Sequence, residues 1–424
     1  MPYLQLFVSQ VWSAYRWAAT ALTTLLVVTY FGPLLYLSWA PRRDLRRRYF
    51  ADLSAQTSLQ ARATPAKASN MARNHKALRA RKKGAVEESR SAPSIPKSAL
   101  NEARLERARS ATAEPWALVT GASSGIGLAI VREVAQQGIN VVLVARDDAL
   151  LPKALDQLRA EFPERSFRVV ATDLSETMPP RDKIDGKSEA TPNYLAEIEE
   201  ATADLFAAGT IRLIFSNAGY LLMSFYWQRS LSEQMRNWEC NITAALRLTH
   251  FVLGQWAKHQ RAALKRDDDR RGSNAAAFGL LAFTSSSSFF LPSPFATLYG
   301  AEKAALTSFA QSLAVEVRDL GVDVLVVHPS YTRTNLYANQ PKLAILEFLD
   351  RFTGASPGYV AASIMRAVGR GLVVRDIGFY SYLTRWVNHV VDIGLLSSLI
   401  VLCRHLVPEY RQFRADADAS LHSS

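Results

Sequence analysis

Cysteine is scarce in this chain of 424 residues. Its two cysteines, Cys240 and Cys403, stand far apart and match no metal-ligand spacing. Neither a disulfide framework nor a zinc site is therefore indicated, and we expect no bound metal. A reducing compartment is the simpler expectation for such a protein.

A net basic charge is missing from the part of the chain that can fold. The formal charge is +12, but residues 41–110 hold 18 Lys+Arg and 6 Asp+Glu, and residues 1–40 add only Arg16. Residues 111–424 are left with a formal charge of −1. Because polyanion binding needs basic surface on the folded unit, we expect no nucleic-acid partner.

One long uncharged run, residues 18–40, is present and is 23 residues long. This length crosses a bilayer core, and the five arginines between residues 42 and 48 predict that the following chain faces the cytosol. A cleaved signal peptide has its charge before the apolar run, so the order here favours an uncleaved transmembrane anchor. Pro33 leaves a re-entrant or hairpin insertion open, and a buried soluble helix is the alternative.

The composition divides the chain into four parts. We predict a membrane anchor with a basic flank over 1–48, a flexible basic linker over 49–114, a folded domain over 115–380 and a helical tail over 381–424. The linker is rich in Ala, Arg, Ser and Lys and has too few apolar residues to offset chain entropy. An organelle-targeting signal is a minority interpretation of its composition.

Six short apolar runs alternate with longer helical stretches in the folded domain, and they begin near residues 116, 141, 167, 211, 280 and 322. Continuous apolar strands separated by helices are typical of a parallel sheet that is covered on both faces. The pattern predicts an α/β fold with a doubly wound parallel sheet of the Rossmann type.

The tail has an uncharged core, residues 393–403, of only 11 residues. This length is short for a second membrane span. Packing on the domain is the favoured interpretation, and a partner surface or shallow membrane contact stays open.

A glycine-rich turn, T-G-A-S-S-G-I-G at 120–127, directly follows the first apolar run and opens a helical stretch. Gly121 allows a tight turn, Gly125 removes a side chain where a pyrophosphate approaches, and Gly127 lets helix and strand pack closely. The helix N-terminus supplies N–H groups to the phosphates. Placed between a strand and a helix, this motif predicts a dinucleotide site.

The second apolar run ends in V-L-V-A-R-D, which places Arg146 where the adenosine ribose is bound in such folds. A 2′-phosphate needs a cation, whereas a free 2′-hydroxyl is best held by a carboxylate. The arginine favours NADPH over NADH, although Asp147 follows directly.

Tyr299 stands four residues ahead of Lys303 in Y-G-A-E-K, after two prolines that keep the chain extended. The spacing predicts a helix with both side chains on one face. A nearby ammonium favours the phenolate, so the pair can trade protons near neutral pH. By spacing alone, a polar pair on a solvated helix is the alternative.

Together the glycine turn, S-N-A-G at 216–219 and Y-G-A-E-K resemble the short-chain dehydrogenase/reductase family over residues 115 to about 336. The resemblance implies Ser286, Tyr299, Lys303 and Asn241 as catalytic residues. It also implies cofactor contacts by Gly121, Ser123, Ser124, Gly125, Ile126, Gly127, Arg146, Asp173, Asn217, Tyr299, Lys303 and Thr334. One departure is Pro329-Ser330, where the family usually has Pro-Gly, which places a side chain near the nicotinamide end.

The resemblance implies reduction of a carbonyl by NADPH, with Tyr299 as proton donor, Ser286 polarising the oxygen and Lys303 lowering the pKa of the tyrosine. Asn241 is expected to hold a water that returns the proton. A homodimer is a further expectation from the family.

The substrate is expected to be a lipophilic ketone. The likeness is to microsomal hydroxysteroid dehydrogenases and long-chain 3-ketoacyl-CoA reductases, with ketosphinganine and retinal reductases as competitors. The apolar segment 220–227 either lines an entrance or packs in the core. The expected location is the endoplasmic reticulum membrane, facing the cytosol. A non-catalytic nucleotide-binding scaffold at the membrane is the alternative of another class.

Overall fold

The computed structural model describes residues 39–53, 114–176, 193–264, 278–338 and 340–422, together with residues 10, 12–21, 23, 24, 28, 32, 36 and 37. The predicted linker from residue 54 to 113 lies outside these described residues, as does part of the predicted span 18–40.

The described residues form a seven-stranded sheet in which every pairing is parallel. The strands are β1 Trp116–Thr120, β2 Asn140–Ala145, β3 Phe167–Ala171, β4 Ile211–Ser216, β5 Gly279–Thr284, β6 Val322–Pro329 and β7 Val374–Ile377. Their order, β3-β2-β1-β4-β5-β6-β7, reverses direction beside β1, which is where doubly wound folds bind their ligands. The predicted α/β fold is confirmed.

Helices precede, connect and follow the strands, and those that pack on the two faces of the sheet form its outer layers. They are α1 Leu45–Tyr49, α2 Gly125–Gln136, α3 Leu150–Glu161, α4 Asn193–Ala207, α5 Leu231–Trp238, α6 Ala244–Leu264, α7 Thr297–Glu316, α8 Ala344–Thr353, α9 Pro357–Ala367, α10 Phe379–Val390, α11 Ile393–Cys403 and α12 Pro408–His422. A π-helical turn, Glu239–Thr243, connects α5 to α6.

The sheet has an apolar core on each face, because alternate side chains of a strand point to opposite sides. In β1, Ala117 and Val119 belong to the core under α2 and α9. Trp116 and Leu118 belong to the core under α4, α6 and α7. Burial on both faces explains why the strands read as continuous apolar runs.

The segment 41–53 packs against the end of the sheet where β4 and β6 begin. Tyr49, Phe50 and Leu53 join the core on the α2 face. Arg212, 5% exposed, holds both carboxylate oxygens of Asp52 at 2.7 Å. Residues 49–53, which we predicted to be part of the linker, therefore belong to the folded unit. The sequence pattern did not indicate this, because their ion-pair and core partners lie far away in the sequence.

The arginines before this segment also have partners on the domain. Arg48 donates to Asp323 at 2.7 and 3.0 Å, and Tyr49 donates to the same carboxylate at 2.7 Å. Arg42 contacts Glu133 at 2.6 Å. These contacts give part of the basic flank a structural role.

Within the described part of the chain, no single helix is both long and apolar enough to cross a membrane. Phe379–Val390 and Ile393–Leu406 meet the length and composition test only as a pair, and they are bent by 108° at the break between them.

Candidate active site

The glycine turn lies between β1 and α2, at the carboxyl edge of the sheet. Gly121 and Gly125 have φ of +64° and +56°, a region that favours glycine. A Cβ on Gly121 would lie 2.9 Å from the Ala218 backbone, and one on Gly127 would collide with the Gly121 carbonyl oxygen. The turn therefore packs against the start of α2 and against the S-N-A-G segment, with the helix N-terminus facing the cleft.

A cleft of about 580 Å³ opens at this edge of the sheet. It brings together twelve of the predicted site residues, namely Gly121, Ser123, Ser124, Gly125, Ile126, Arg146, Asp173, Asn217, Ser286, Tyr299, Lys303 and Thr334. Gly127 and Asn241 do not line it. Gly127 packs behind the turn, and Asn241 is 1% exposed behind the S-N-A-G segment.

The serines of T-S-S-S-S are separated by their partners. The Ser285 hydroxyl donates to the Lys303 carbonyl oxygen at 2.8 Å, and that of Ser287 donates to the Pro329 carbonyl oxygen at 3.2 Å. Ser286 hydrogen-bonds Tyr299, which lowers the pKa of the phenol. Of these four serines, Ser286 is the one whose hydrogen bond acts on the pKa of Tyr299.

Lys303 is 3% exposed, and its Nζ lies 5.3 Å from the centre of the Tyr299 ring. The Nζ donates to the Thr284 carbonyl oxygen at 3.1 Å. Burial raises the pKa of Tyr299 well above 10, and burial lowers the pKa of Lys303. Burial is the largest effect on the pKa of Tyr299, and the hydrogen bond with Ser286 acts against it. The expected lowering of this pKa by Lys303 stays a prediction.

Asn241 lies in the π-helical turn between α5 and α6, and its side-chain amide is saturated. Its Oδ1 accepts from the Tyr220 N–H at 2.9 Å, and its Nδ2 donates to the Tyr220 carbonyl oxygen at 2.8 Å. The same Nδ2 donates to Glu302 Oε2 at 2.6 Å. Asn241 therefore links the Tyr220 backbone, which follows S-N-A-G, to Glu302 on α7, the helix that carries Tyr299. Its predicted role in holding a water stays a prediction.

The adenosine end of the cleft contains charges of both signs. The Arg146 side chain is 72% exposed, and its guanidinium lies 3.6 Å from the Asp148 carboxylate. Asp148 lines the cleft as well. Asp173, assigned to the adenine, accepts from the Ser175 N–H at 2.9 Å and from Arg236 at 3.2 Å.

The opposite end of the cleft is formed by the loop after β6. Ser330, the departure from the family pattern, lines the cleft, and its hydroxyl accepts from the Ser381 N–H at 2.9 Å. The extra side chain therefore ties α10 to the loop. Thr334 lies against Gly125, with its Cγ2 3.1 Å from where a Cβ would stand.

An apolar wall packs against Tyr299. Its buried members are Leu221, Met223, Ala296, Leu343 and Phe413. The segment 220–227 is thus divided, since its first residues join this wall while Tyr226 and Trp227 are 50% and 61% exposed.

A family model described as short chain dehydrogenase matches residues 115–343, which is more than half of the chain. The chain belongs to the short-chain dehydrogenase family. The resemblance drawn from the motifs is confirmed, and the protein is an oxidoreductase.

Two relatives show what this short-chain dehydrogenase is similar to. The 17-beta-hydroxysteroid dehydrogenase type 3 of Rattus norvegicus is 28% identical over 247 residues, covering 58% of this chain and 69% of that protein. A very-long-chain 3-oxoacyl-CoA reductase-like protein of Arabidopsis thaliana is 24% identical over 274 residues, covering 64% and 75%. A solved structure of a 7beta-hydroxysteroid dehydrogenase matches with a TM-score of 0.50 and 20% identity over 66% of this chain and 93% of that one, which supports the fold alone.

Two residues of this short-chain dehydrogenase were missed by the sequence analysis. Thr120 accepts from the N–H groups of Asn217 and Ala218 at 2.9 and 3.0 Å, which fixes the S-N-A-G segment beside the glycine turn. Glu302 is 0% exposed, directly before Lys303. Its position inside Y-G-A-E-K could have indicated a role, because a carboxylate buried beside Tyr299 and Lys303 needs a hydrogen-bond or charged partner.

Proposed function

We propose that this protein reduces the carbonyl group of a lipophilic substrate to an alcohol, with Tyr299 as the proton donor. The observation that carries the proposal is the meeting of Ser286, Tyr299 and Lys303 at one wall of the cleft that the glycine turn also lines. Proton donation to the developing alkoxide by a positioned phenol is general acid catalysis.

The raised pKa of Tyr299 supports the donor role, because the phenol stays protonated at neutral pH. The Ser286 hydroxyl is placed to hydrogen-bond the same substrate oxygen and to stabilise its developing charge. Lys303, held by the Thr284 carbonyl oxygen, supplies positive charge beside the tyrosine when protonated.

The cleft fits a nicotinamide dinucleotide, which supplies the hydride when bound. The N–H groups at the start of α2 suit its pyrophosphate, and the left-handed turn at Gly121 and Gly125 lets the backbone come close. NADPH is the proposed form, because the exposed Arg146 guanidinium at the end of β2 suits a 2′-phosphate.

The apolar wall beside Tyr299 favours a lipophilic ketone. Leu221 and Leu336 belong to this apolar cluster and line the cleft, and they present no charge to a bound substrate. The relatives' names lead us to propose a keto steroid or a 3-oxoacyl thioester as the substrate class. A ketosphinganine or retinal is the alternative within the same chemistry.

We also propose that the protein is anchored in the endoplasmic reticulum membrane through residues 18–40, with the domain in the cytosol. The uncharged run and the arginines after it support this location. The exposed apolar side chains of α11, which include Leu395, Leu399 and Leu402, are suited to shallow contact with the same membrane.

The test is NADPH consumption by the purified full-length protein in detergent, with a 17-keto steroid and a medium-chain 3-oxoacyl-CoA as probes. We expect oxidation of NADPH coupled to alcohol formation with one of these probes. Tight NADPH binding without turnover of any lipophilic ketone, retinal and ketosphinganine included, would instead support a non-catalytic scaffold.

A further inference from the structure

Glu302 is a buried carboxyl group one residue from Lys303 and three from Tyr299. It is 0% exposed. One carboxylate oxygen, Oε2, accepts from Asn241 Nδ2 at 2.6 Å, while Oε1 has no hydrogen-bond partner among the described residues. A buried carboxylate oxygen without a partner is costly, whereas a protonated carboxyl avoids most of that cost.

The surroundings of Glu302 join it to the reaction centre. Asn241, which holds its carboxyl group, is anchored in turn to the Tyr220 backbone. Asn241 Oδ1 and Lys303 Nζ both lie next to Gly219. A Cβ built on Gly219 would be 3.0 Å from the first atom and 3.6 Å from the second. The carboxyl, the amide and the ammonium therefore form one cluster, in which Lys303 lines the cleft and Asn241 and Glu302 lie behind it.

We propose that Glu302 is a positioning residue of this reaction, whose carboxyl group gains and loses a proton inside the Asn241–Lys303–Tyr299 cluster and so sets how tightly Tyr299 holds its own proton. The inference rests on the proposed role of Tyr299 as proton donor. No atom of Glu302 lines the cleft, so it acts through Lys303 and Tyr299.

The direction of the effect follows from the charges. Burial raises the pKa of Glu302 to about 7, while the Asn241 hydrogen bond and the Lys303 charge act against this. Once ionised, Glu302 raises the pKa of Tyr299 and that of Lys303. Neutral Glu302 therefore leaves Tyr299 the stronger acid, and its ionisation above neutral pH weakens the proton donor.

Few other titrating groups act on Glu302. Besides Lys303 and Tyr299 on its own helix, the π-helical turn contributes Cys240, and burial raises the pKa of this thiol to about 12, which keeps it neutral. On the other elements that pack against α7, Asp319 is exposed to solvent. The remaining charged side chains there have these partners: Glu233 with Ser230, Arg236 with Asp173, Glu239 with Tyr194 and Arg247, His328 with Asp376, Asp323 with Arg48, and Arg318 with Asp323.

The experiment compares the pH profile of kcat for ketone reduction in wild type, Glu302→Gln and the control Glu316→Gln, which removes a carboxylate from an exposed position of the same helix. We expect kcat of wild type and control to fall roughly threefold or more between about pH 6 and about pH 8. The fall should be missing in Glu302→Gln. A Glu302→Gln variant that only scales kcat by a constant factor, with the profile unmoved, overturns the inference.

A second readout needs no turnover. Infrared difference spectra between wild type and Glu302→Gln should show a protonated carboxyl band that disappears as the pH rises through the Glu302 pKa of about 7. Absence of this band at pH ~5 overturns the inference as well.

Failure of the proposed function is distinguishable from failure of this inference. If Tyr299→Phe retains turnover, the proton-donor proposal fails. If Tyr299→Phe is inactive while the Glu302→Gln profile and spectrum match those of wild type, only the role of Glu302 fails.

Discussion

At the scale of single residues, burial is the largest influence on the pKa values of Tyr299 and Lys303. Tyr299 and Lys303 are both desolvated, so burial raises the pKa of the first and lowers that of the second. Their spacing predicted the shared helix face but not the size of the desolvation effect, because burial depends on elements distant in sequence. The same holds for Glu302, whose only described hydrogen-bond partner, Asn241, is 61 residues away.

Arg146 provides a prediction on cofactor choice. Replacing Arg146 with Ala should raise the Kd for NADPH roughly tenfold or more while changing that for NADH little, since a charged hydrogen bond to the 2′-phosphate is lost. Fluorescence titration of both cofactors measures this. Arg132→Ala is the control, because Arg132 is paired with Glu161 at 2.8 Å outside the cleft. An equal rise in the Kd for NADPH and for NADH would contradict the proposed contact between Arg146 and the 2′-phosphate.

Glu302 provides a prediction on stability. Its folded-state pKa of about 7 is above the ordinary 4.5, so its stabilising contribution is complete below about pH 4.5 and is lost as pH rises through about 7. Glu302→Gln should therefore unfold less readily than wild type at pH ~8, by on the order of 3 kcal/mol, with a smaller difference at pH ~5. Thermal melting at both pH values checks this. If the stability difference between Glu302→Gln and wild type is the same at both pH values, the result contradicts the raised pKa of Glu302.

At the scale of elements, six of the seven strands in the described sheet could be located from apolar runs, and one could not. β7 reads V-R-D-I, and its charged pair interrupts the pattern. Asp376 is nevertheless 3% exposed, because it accepts from His328 at 2.8 Å and from Arg385 at 2.6 Å. Such compensation comes from partners on β6 and α10, which no local pattern reveals.

The α1 segment escaped prediction for the same reason. Leu45, Tyr49, Phe50 and Leu53 are few and stand among arginines, so composition favoured a linker, yet all four lie in the core of the α2 face. The core partners and the Arg212–Asp52 ion pair depend on the completed sheet.

This docking provides a prediction for truncated chains. A chain that starts at Ser54 should melt more than about 10 °C below one that starts at Pro41, because it lacks four buried apolar side chains. The chain that starts at Pro41 should melt close to the full-length protein. Equal melting of the two truncated chains would show that the segment does not stabilise the domain.

At the scale of the whole molecule, the segment 41–53 and the start of α10 lie at opposite ends of the sheet. The first contacts residues where β4 and β6 begin, and the second follows the end of β7. The motifs predicted the family and the cleft. The packing of residues 41–53 and of α10 on the domain depends on tertiary contacts that no motif reveals.

Membrane contact by the tail can be tested on a chain without residues 1–40. A chain that starts at Pro41 should float with phosphatidylcholine vesicles, and Leu402→Asp should reduce the bound fraction roughly tenfold, because the leucine is 65% exposed on uncharged α11. Ser398→Asp is the control, since it adds the same charge to the same helix without removing apolar area. Equal loss in both variants, or no flotation of the parent chain, would rule out apolar contact by α11.

The central claim, proton donation by Tyr299, is tested most directly by measuring NADPH affinity and kcat together for Tyr299→Phe. Tyr337→Phe is the matched control, since Tyr337 lines the same cleft. The account predicts that Tyr299→Phe binds NADPH within about twofold of wild type while kcat falls at least about a hundredfold, and that Tyr337→Phe keeps most of its turnover. A Tyr299→Phe protein with near-normal kcat would contradict the account.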